Sequence, residues 1–177
     1  MKEHPILFSG EMVRAILAGR KTVTRRLDLR WTRVKAGEGL WVRETFKEWP
    51  AGGMLDVPQI PEHTSYEYAA DFDGKPRGWT PSIHMPRSAS RIDLVATEDG
   101  REERLQDIAG PEILAEGVVE RAHEHPELGR MPVSAIDGKA YVDLVSLWVA
   151  AWDRINPKAP WKSNPPVARV AFAKVRP

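Results

Sequence analysis

The order of hydrophobic and polar positions predicts several short strands and few helices. In the N-terminal half, an apolar run at 6–8 predicts a strand, and apolar residues at helical spacing predict a helix from Glu11 to about Gly19. Further strands are predicted at 21–29 and, after a glycine-rich turn, at 40–46. The first half of the chain therefore indicates strands joined by short connections.

The segment 21–29 has the alternation of a half-buried strand. The apolar residues Val23, Leu27 and Leu29 occupy odd positions, which places them on one face. The same alternation places Thr22, Thr24 and Arg26 on the opposite face.

The rest of the chain also predicts short strands, separated by loops and two helices. A Pro- and Gly-rich stretch at 47–64 predicts a loop. A second loop is predicted at 71–81, with a turn at 73–74, and residues 118–138 are expected to be irregular. Strands are predicted at 66–70, at 90–97 running on toward 105, and at 166–175. Helices are predicted at 111–117 and 139–155, the second with an apolar stripe at 141, 144, 145, 148, 152 and 155. Long helices do not alternate with the strands, so we expect an α+β protein, a small mixed β-barrel with helices over its ends and one longer C-terminal helix.

Composition narrows the chemistry. The chain has 177 residues, of which 42% are hydrophobic and 29% charged, as in a single globular domain. It has no cysteine, which excludes disulfides, Cys-ligated metals and thiol nucleophiles. No apolar run reaches the roughly 18 residues of a membrane span, and no signal peptide is evident. We expect a cytoplasmic protein without a membrane partner.

Charge is segregated along the chain. Residues 14–43 carry nine basic side chains against two acidic ones, whereas residues 93–127 carry eleven acidic against three basic. One interpretation is a basic face suited to phosphates with an acidic flank elsewhere. The other is that the two segments pack together and neutralise each other.

The segment 19–26, Gly-Arg-Lys-Thr-Val-Thr-Arg-Arg, has the most chemical content. A helix end leads directly into a strand that carries Lys21 and Thr24. A lysine desolvated beside a hydroxyl loses its proton more easily and activates that hydroxyl. The alternative is a basic edge strand in solvent. Nucleotide-binding glycine motifs are absent, and His123, His125 and Glu127 lack the spacing of a helical metal pair, so we expect no cofactor and no metal.

The same segment resembles the signature of ASCH domains, a branch of the PUA-like barrel superfamily. Their motif is Gly-x-Lys-x-x-Glu-x-Arg; Gly19, Lys21 and Arg26 match it, while Thr24 stands at the acidic position. Segments 37–43, 105–108 and 116–117 are similar to later parts of these domains. The resemblance covers most of the chain and is closest to the longer bacterial and phage-borne variety. It implies one PUA-like domain over 1–177, with insertions near 47–88 and 118–138.

The resemblance also implies a function. Residues 16–24 are similar to a branch of N4-acetylcytidine amidohydrolases, in which a Lys is the base, a Thr the nucleophile and a helix Glu the acid. Carried over by motif, these roles fall on Lys21, Thr24 and Glu116, with Glu112 one helical turn away as the alternative acid. The partner would be RNA or a modified nucleoside.

Eight further residues are candidate contacts to a nucleic acid or substrate. Unpaired bases stack on aromatic rings, and Trp31 between Arg30 and Arg33 is the best such ring. Glu44 either forms an ion pair with Lys21 or Arg26, or reads a base amine. The full set is Arg20, Arg25, Arg26, Trp31, Arg43, Glu44, His84 and Arg87.

Two other functions use the same basic cleft. One is a non-catalytic RNA-binding module, whose affinity would fall steeply with salt. The other is a ribonuclease that uses His84 with Lys21, if the fold brings them together. The two tryptophans of the C-terminal helix, Trp148 and Trp152, are predicted to be core.

Overall fold

The computed structural model describes residues 1–49, 65–72 and 78–175, and these form a mixed α+β structure around a curled half-barrel sheet. The strands are Glu3–Leu7 (β1), Val23–Arg26 (β2), Gly39–Arg43 (β3), Phe46–Trp49 (β4), Ser65–Tyr68 (β5), Asp93–Ala96 (β6), Arg101–Arg104 (β7), Val119–His125 (β8), Gly129–Ser134 (β9) and Pro166–Lys174 (β10). The helices are Gly10–Leu17 (α1), Gly110–Ala115 (α2) and Leu144–Ile155 (α3). The expected α+β class and longer C-terminal helix are confirmed. No helix in the described parts of the chain is long and apolar enough to cross a membrane.

The last strand organises the main sheet. The strand order is β1-β3-β6-β10-β2, with β7 also paired to β10. Only β1 and β3 are parallel among these pairs; the other pairings are antiparallel. The start of β10 pairs with β7 and its end with β6, so the strand predicted to run from 90 toward 105 is interrupted at 97–100.

The strand that carries the candidate site is shorter than its alternation indicates. β2 ends at Arg26, and a 3₁₀ turn follows at Leu29–Arg33, where the Asp28 carboxylate accepts a hydrogen bond of 3.0 Å from the backbone N–H of Arg30. The predicted faces are correspondingly wrong. Val23 and Thr24 are both buried, and Leu27 is exposed because it lies beyond the strand.

The expectation of irregular structure at 118–138 is wrong. β8 and β9 form an antiparallel hairpin that joins Val119 to Ser134 and His125 to Gly129. Most of β8 is polar and exposed, so it lacks the apolar alternation that marks a half-buried strand. On β9, Met131 and Val133 are buried and anchor the hairpin.

The longer helix begins later than predicted. Asp143 caps it by accepting a 2.7 Å hydrogen bond from the backbone N–H of Ser146, so 139–143 lie outside α3. Its buried face carries Leu147, Trp148, Ala151 and Trp152, whereas Val145 and Ile155 of the predicted stripe are exposed. This face packs into the main core with the inner side of the sheet and α1.

A second, smaller core lies under the two-stranded sheet of β4 and β5. Phe46, Met85 and Ala89 are buried there, with Tyr66 and Tyr68 packed against them. The pair occupies part of the predicted insertion at 47–88, where a loop was expected up to 64. The turn predicted at 73–74, and residues 50–64 of the loop predicted at 47–64, lie outside the described residues.

Candidate active site

Two helix ends meet at the start of β2. After α1 the chain turns at Gly19, whose φ of +72° is the left-handed conformation that glycine adopts without strain. After α2 it turns in the same way at Gly117, also at φ +72°. The backbone N–H groups of Arg20 and Lys21 donate to the carbonyl of Ala15 over 2.8 and 3.1 Å. These turns place the first residues of the β2 segment against the end of α2.

Lys21 is fully enclosed at this junction. Its residue exposure is 4%, and Nζ donates to the carbonyls of Val23 and Glu116, both at 2.8 Å, and to Glu116 Oε2 at 2.9 Å. Nζ also lies 5.5 Å from the ring centroid of Phe8. All three donors of the ammonium group therefore have acceptors, one of them a buried carboxylate.

Arg25 holds the other side of the same carboxylate. Its side chain is 0% exposed and donates through Nη1 to Glu116 Oε1 at 3.1 Å and through Nε to Glu103 Oε1 at 2.7 Å. Nη2 donates to Glu112 Oε2, and Arg169 binds the other oxygen of Glu112 at 2.7 Å. The carboxylates of Glu103, Glu112 and Glu116 thus surround a single guanidinium.

For the buried basic residues, these contacts agree with the second interpretation of the segregated charge, in which the basic and acidic segments pack together. Lys21 and Arg25 of the basic segment are neutralised by Glu103, Glu112 and Glu116 of the acidic segment. The basic strand is therefore packed against acidic residues at this point and is not open to solvent.

Burial and charge act in opposite directions on Lys21. Desolvation lowers the pKa of its ammonium group, while the Glu116 carboxylate, by Coulombic attraction and hydrogen bonding, opposes this change; burial dominates and the pKa lies below its ordinary value. For Glu112, burial raises the pKa of the carboxyl, but hydrogen bonds from Arg169 and Arg25 outweigh it, and the pKa is lowered.

A cavity of about 200 Å³ adjoins the Lys21–Glu116 pair. Its wall combines polar groups from β2 and from the residues next to β2 and α2 with aromatic rings from α3 and the β1–α1 connection. The lining includes Phe8, Lys21, Thr24, Arg25, Arg26, Glu116, Trp148 and Trp152. The residue exposure of Thr24 is 4%. The three residues given catalytic roles therefore share one cavity.

Arg26 closes part of the same wall. Its Nη2 donates to the carbonyl of Leu7 at 2.6 Å, and its guanidinium lies 4.9 Å from the ring centroid of Phe8. Arg20, by contrast, faces away. It donates to the carbonyl of Val119 at 2.6 Å and lines a separate, open groove between α2 and the β8–β9 hairpin.

Besides Arg20, five more predicted contact residues do not line this cavity. Trp31 is half-buried against the core and lines a separate shallow pocket with His4. Arg43 and Arg87 lie over Trp41, at 5.5 and 5.8 Å from its centroid, and His84 is exposed nearby on a 3₁₀ turn.

Glu44 is the fifth. It is 2% exposed, and Arg91 donates to its two oxygens at 2.9 and 3.1 Å. Burial raises the pKa of this carboxyl, an effect that the contacts to Arg91 partly offset. The expected ion pair is thus present, but its partner is Arg91 in place of Lys21 or Arg26.

Sequence reasoning missed two features of the site. Trp148 was assigned to the core, yet its ring is also part of the cavity wall. Arg169 on β10 was not considered, although it fixes Glu112 from the opposite side to Arg25. The sequence did contain a signal for Arg169, since it is the one charged residue within the apolar run 167–173. Within residues 1–49, 65–72 and 78–175, no group of three His, Cys, Asp or Glu residues is placed to hold a metal ion.

Comparisons of the chain with protein-family models, with curated proteins and with solved structures found no match.

Proposed function

We propose that this protein is an ASCH-type hydrolase that cleaves the acyl amide of a modified cytidine, with N4-acetylcytidine as the test substrate. The observation that carries the proposal is the placement of Lys21, Thr24 and Glu116 on one cavity, with Lys21 and Glu116 in direct contact at 2.9 Å. A buried base, a hydroxyl and a carboxyl acid are the groups that nucleophilic amide hydrolysis requires.

The first half-reaction uses the pair in its neutral form, with Lys21 as the amine and the proton on Glu116. The Thr24 oxygen attacks the acyl carbon while Lys21 takes the hydroxyl proton. Glu116 protonates the leaving nitrogen, the C–N bond breaks, and cytidine departs from an acyl-Thr24 ester. Lys21 is then an ammonium and Glu116 a carboxylate.

Before the second half-reaction, Lys21 must become a neutral amine and Glu116 must be protonated again. A proton returns from Lys21 Nζ to Glu116 Oε2 along their hydrogen bond. Water then attacks the ester, Lys21 accepts a proton from that water, and Glu116 protonates the departing Thr24 oxygen. The carboxylic acid is released and the hydroxyl is restored. Arg25 takes no part in these proton transfers; it fixes the Glu116 side chain through Oε1.

The contacts of Lys21 also support a second candidate, a non-catalytic binding site for RNA or a nucleoside. Three acceptors surround Lys21 Nζ, and this arrangement stabilises its ammonium form. A lysine that acts as a base must instead be a neutral amine. Ribonuclease chemistry through His84 has no such support, because His84 is exposed and is not among the residues that line the cavity with Lys21.

The deciding experiment is release of cytidine from N4-acetylcytidine by the wild type and by Thr24→Val. Thr22→Val is the matched control, since Thr22 lies two residues away but is exposed. We expect turnover in the wild type and the control, and none in Thr24→Val. Full activity in Thr24→Val would refute the nucleophile. A folded wild type without turnover that binds RNA with strong salt dependence would favour the binding module.

A further inference from the structure

Glu103 on β7 contacts the guanidinium of Arg25 but takes no part in the proposed proton transfers. Its Oε1 accepts a hydrogen bond of 2.7 Å from Arg25 Nε. The Arg25 side chain is 0% exposed and that of Glu103 only 14%, so water screens this contact little. On the outer side, Arg101 Nε lies 3.6 Å from Glu103 Oε2, but the Arg101 side chain is half-exposed. The charge of Glu103 therefore acts mainly on Arg25.

Arg25 donates to three carboxylates, and two of these have another buried cation. Arg169 donates to Glu112 Oε1 through Nε at 2.8 Å and through Nη2 at 2.7 Å. Lys21 donates to Glu116 Oε2 at 2.9 Å. In the described parts of the chain, the carboxylate on β7 has no second buried cation in contact. It is therefore the group that offsets the charge of Arg25.

The charge of Arg25 bears on the proton transfer between Lys21 and Glu116. Arg25 Nη1 lies 3.1 Å from Glu116 Oε1, so the guanidinium stabilises the carboxylate form of Glu116 and opposes transfer of a proton from Lys21. A carboxylate bound to another nitrogen of the same guanidinium reduces that opposition. The other charged side chains around the pair are Arg26 on β2, Glu112 on α2, Arg169 on β10, and the more exposed Glu98 and Arg101.

We propose that Glu103 is a positioning residue of this site, which acts through Arg25 and allows the Lys21–Glu116 pair to adopt its neutral form. The inference rests on the proposed function for the reaction, because both half-reactions begin from the neutral amine and the protonated acid. Without the negative charge of Glu103, the charge of Arg25 is not offset. The pair then releases its protons at lower pH, and less of it is in the neutral form.

The first test observes Lys21 directly and needs no turnover. Lysines are labelled with ¹³C at Cε, Lys21→Arg assigns the Lys21 signal, and that signal is followed from about pH 5 to pH 11, a range that spans the ordinary lysine pKa. We expect Glu103→Gln to lower the midpoint of the Lys21 titration by about one pH unit. Glutamine keeps an oxygen that accepts from Arg25 Nε, so this variant removes the charge and retains the hydrogen bond.

Glu102→Gln is the matched control, because Glu102 is the exposed neighbour on β7 and loses the same charge. We expect its Lys21 midpoint to equal that of the wild type. A Lys21 signal that titrates at the same pH in Glu103→Gln and the wild type, or in neither, overturns the proposal. If Glu103→Gln does not fold, Arg101→Gln decides: removal of this cation is expected to raise the midpoint, and an unchanged or lowered midpoint overturns the proposal.

The second test is the pH profile of kcat/KM for N4-acetylcytidine. The two limbs of a bell-shaped profile report the macroscopic pKa values of the coupled pair. We expect Glu103→Gln to move both limbs to lower pH and to lower the maximum about tenfold, which corresponds to one pKa unit. Glu103→Asp keeps the charge and is expected to restore the limbs. A merely structural role would lower the rate and leave both limbs in place.

The two proposals fail in different ways. Turnover in the wild type, with an unmoved Lys21 midpoint and unmoved limbs in Glu103→Gln, overturns the role of Glu103 and leaves the hydrolase. A lowered Lys21 midpoint in Glu103→Gln without turnover in the wild type supports the action of Glu103 on the pair and overturns the hydrolase. Neither turnover nor a moved midpoint overturns both.

Discussion

Gly117 is the position where a single methyl group tests the geometry of the site most directly. It follows the last residues of α2 and has φ +72°. A Cβ atom added there would lie 2.7 Å from Lys21 Cβ and 2.8 Å from Ala15 Cβ. Neither neighbour is the end of a flexible chain, so Gly117→Ala must either strain the turn or move β2 away from α2.

The loss of stability expected for Gly117→Ala has two parts. A side chain in the left-handed region costs roughly 1–2 kcal/mol. Overpacking a tight interior contact adds typically about 1–3 kcal/mol. Gly19 separates the two, because it has the same φ of +72° after α1 but nothing within 4 Å of its added Cβ. Gly19→Ala therefore carries the conformational cost alone.

The assay is urea denaturation of both variants beside the wild type, with the free energy of unfolding taken from each transition. We expect Gly117→Ala to be less stable than Gly19→Ala by about 1–3 kcal/mol, the overpacking part. If the two variants lose the same stability, the α2 turn and Lys21 are not in the close contact described, and the assembly of the site by two helix ends is refuted.

Two further predictions concern the buried charges. Glu116→Gln leaves Lys21 and Arg25 facing an amide that has one acceptor oxygen in place of two. We expect this variant to lose about 3–5 kcal/mol in the free energy of unfolding. A loss below about 1 kcal/mol would contradict the buried ion pair. Glu112 has a lowered pKa in the folded state, so its contribution to stability is present above its unfolded pKa and is lost as the pH falls through the folded value. Glu112→Gln is therefore expected to be less stable than the wild type at neutral pH and to lose less stability on acidification, as measured by urea denaturation from pH 7 to 3; parallel pH curves for the two proteins would exclude this role.

The parts of the fold that the sequence predicted are those where local chemistry and tertiary packing agree. α1 has an apolar face and a glycine at its end, and both were visible in the sequence. β10 has an apolar run, and it pairs with three strands of the main sheet. The hairpin of β8 and β9 was missed because a strand with polar residues on an exposed ribbon has no hydrophobic period.

The sequence singled out some residues that line the candidate cavity, but it did not predict how they pair. Lys21 and Thr24 were found from a short motif, and their common cavity agrees with that choice. The sequence could not tell Glu116 from Glu112, which lies one turn away. The structure separates them: Glu116 contacts Lys21, whereas Glu112 lies between Arg25 and Arg169. That distinction depends on β10, which is remote in sequence from both acids.

The position of β2 in the sheet has a consequence for the order in which the molecule is built. Among the described strands, β2 pairs only with β10. The strand near residue 25 therefore cannot form its backbone pairing until the strand near residue 170 is present. During synthesis the ribosome releases the Lys21 segment long before its partner strand exists. We expect the nascent chain to leave this cavity unformed until β10 emerges, so that a product truncated before residue 166 lacks a formed cavity.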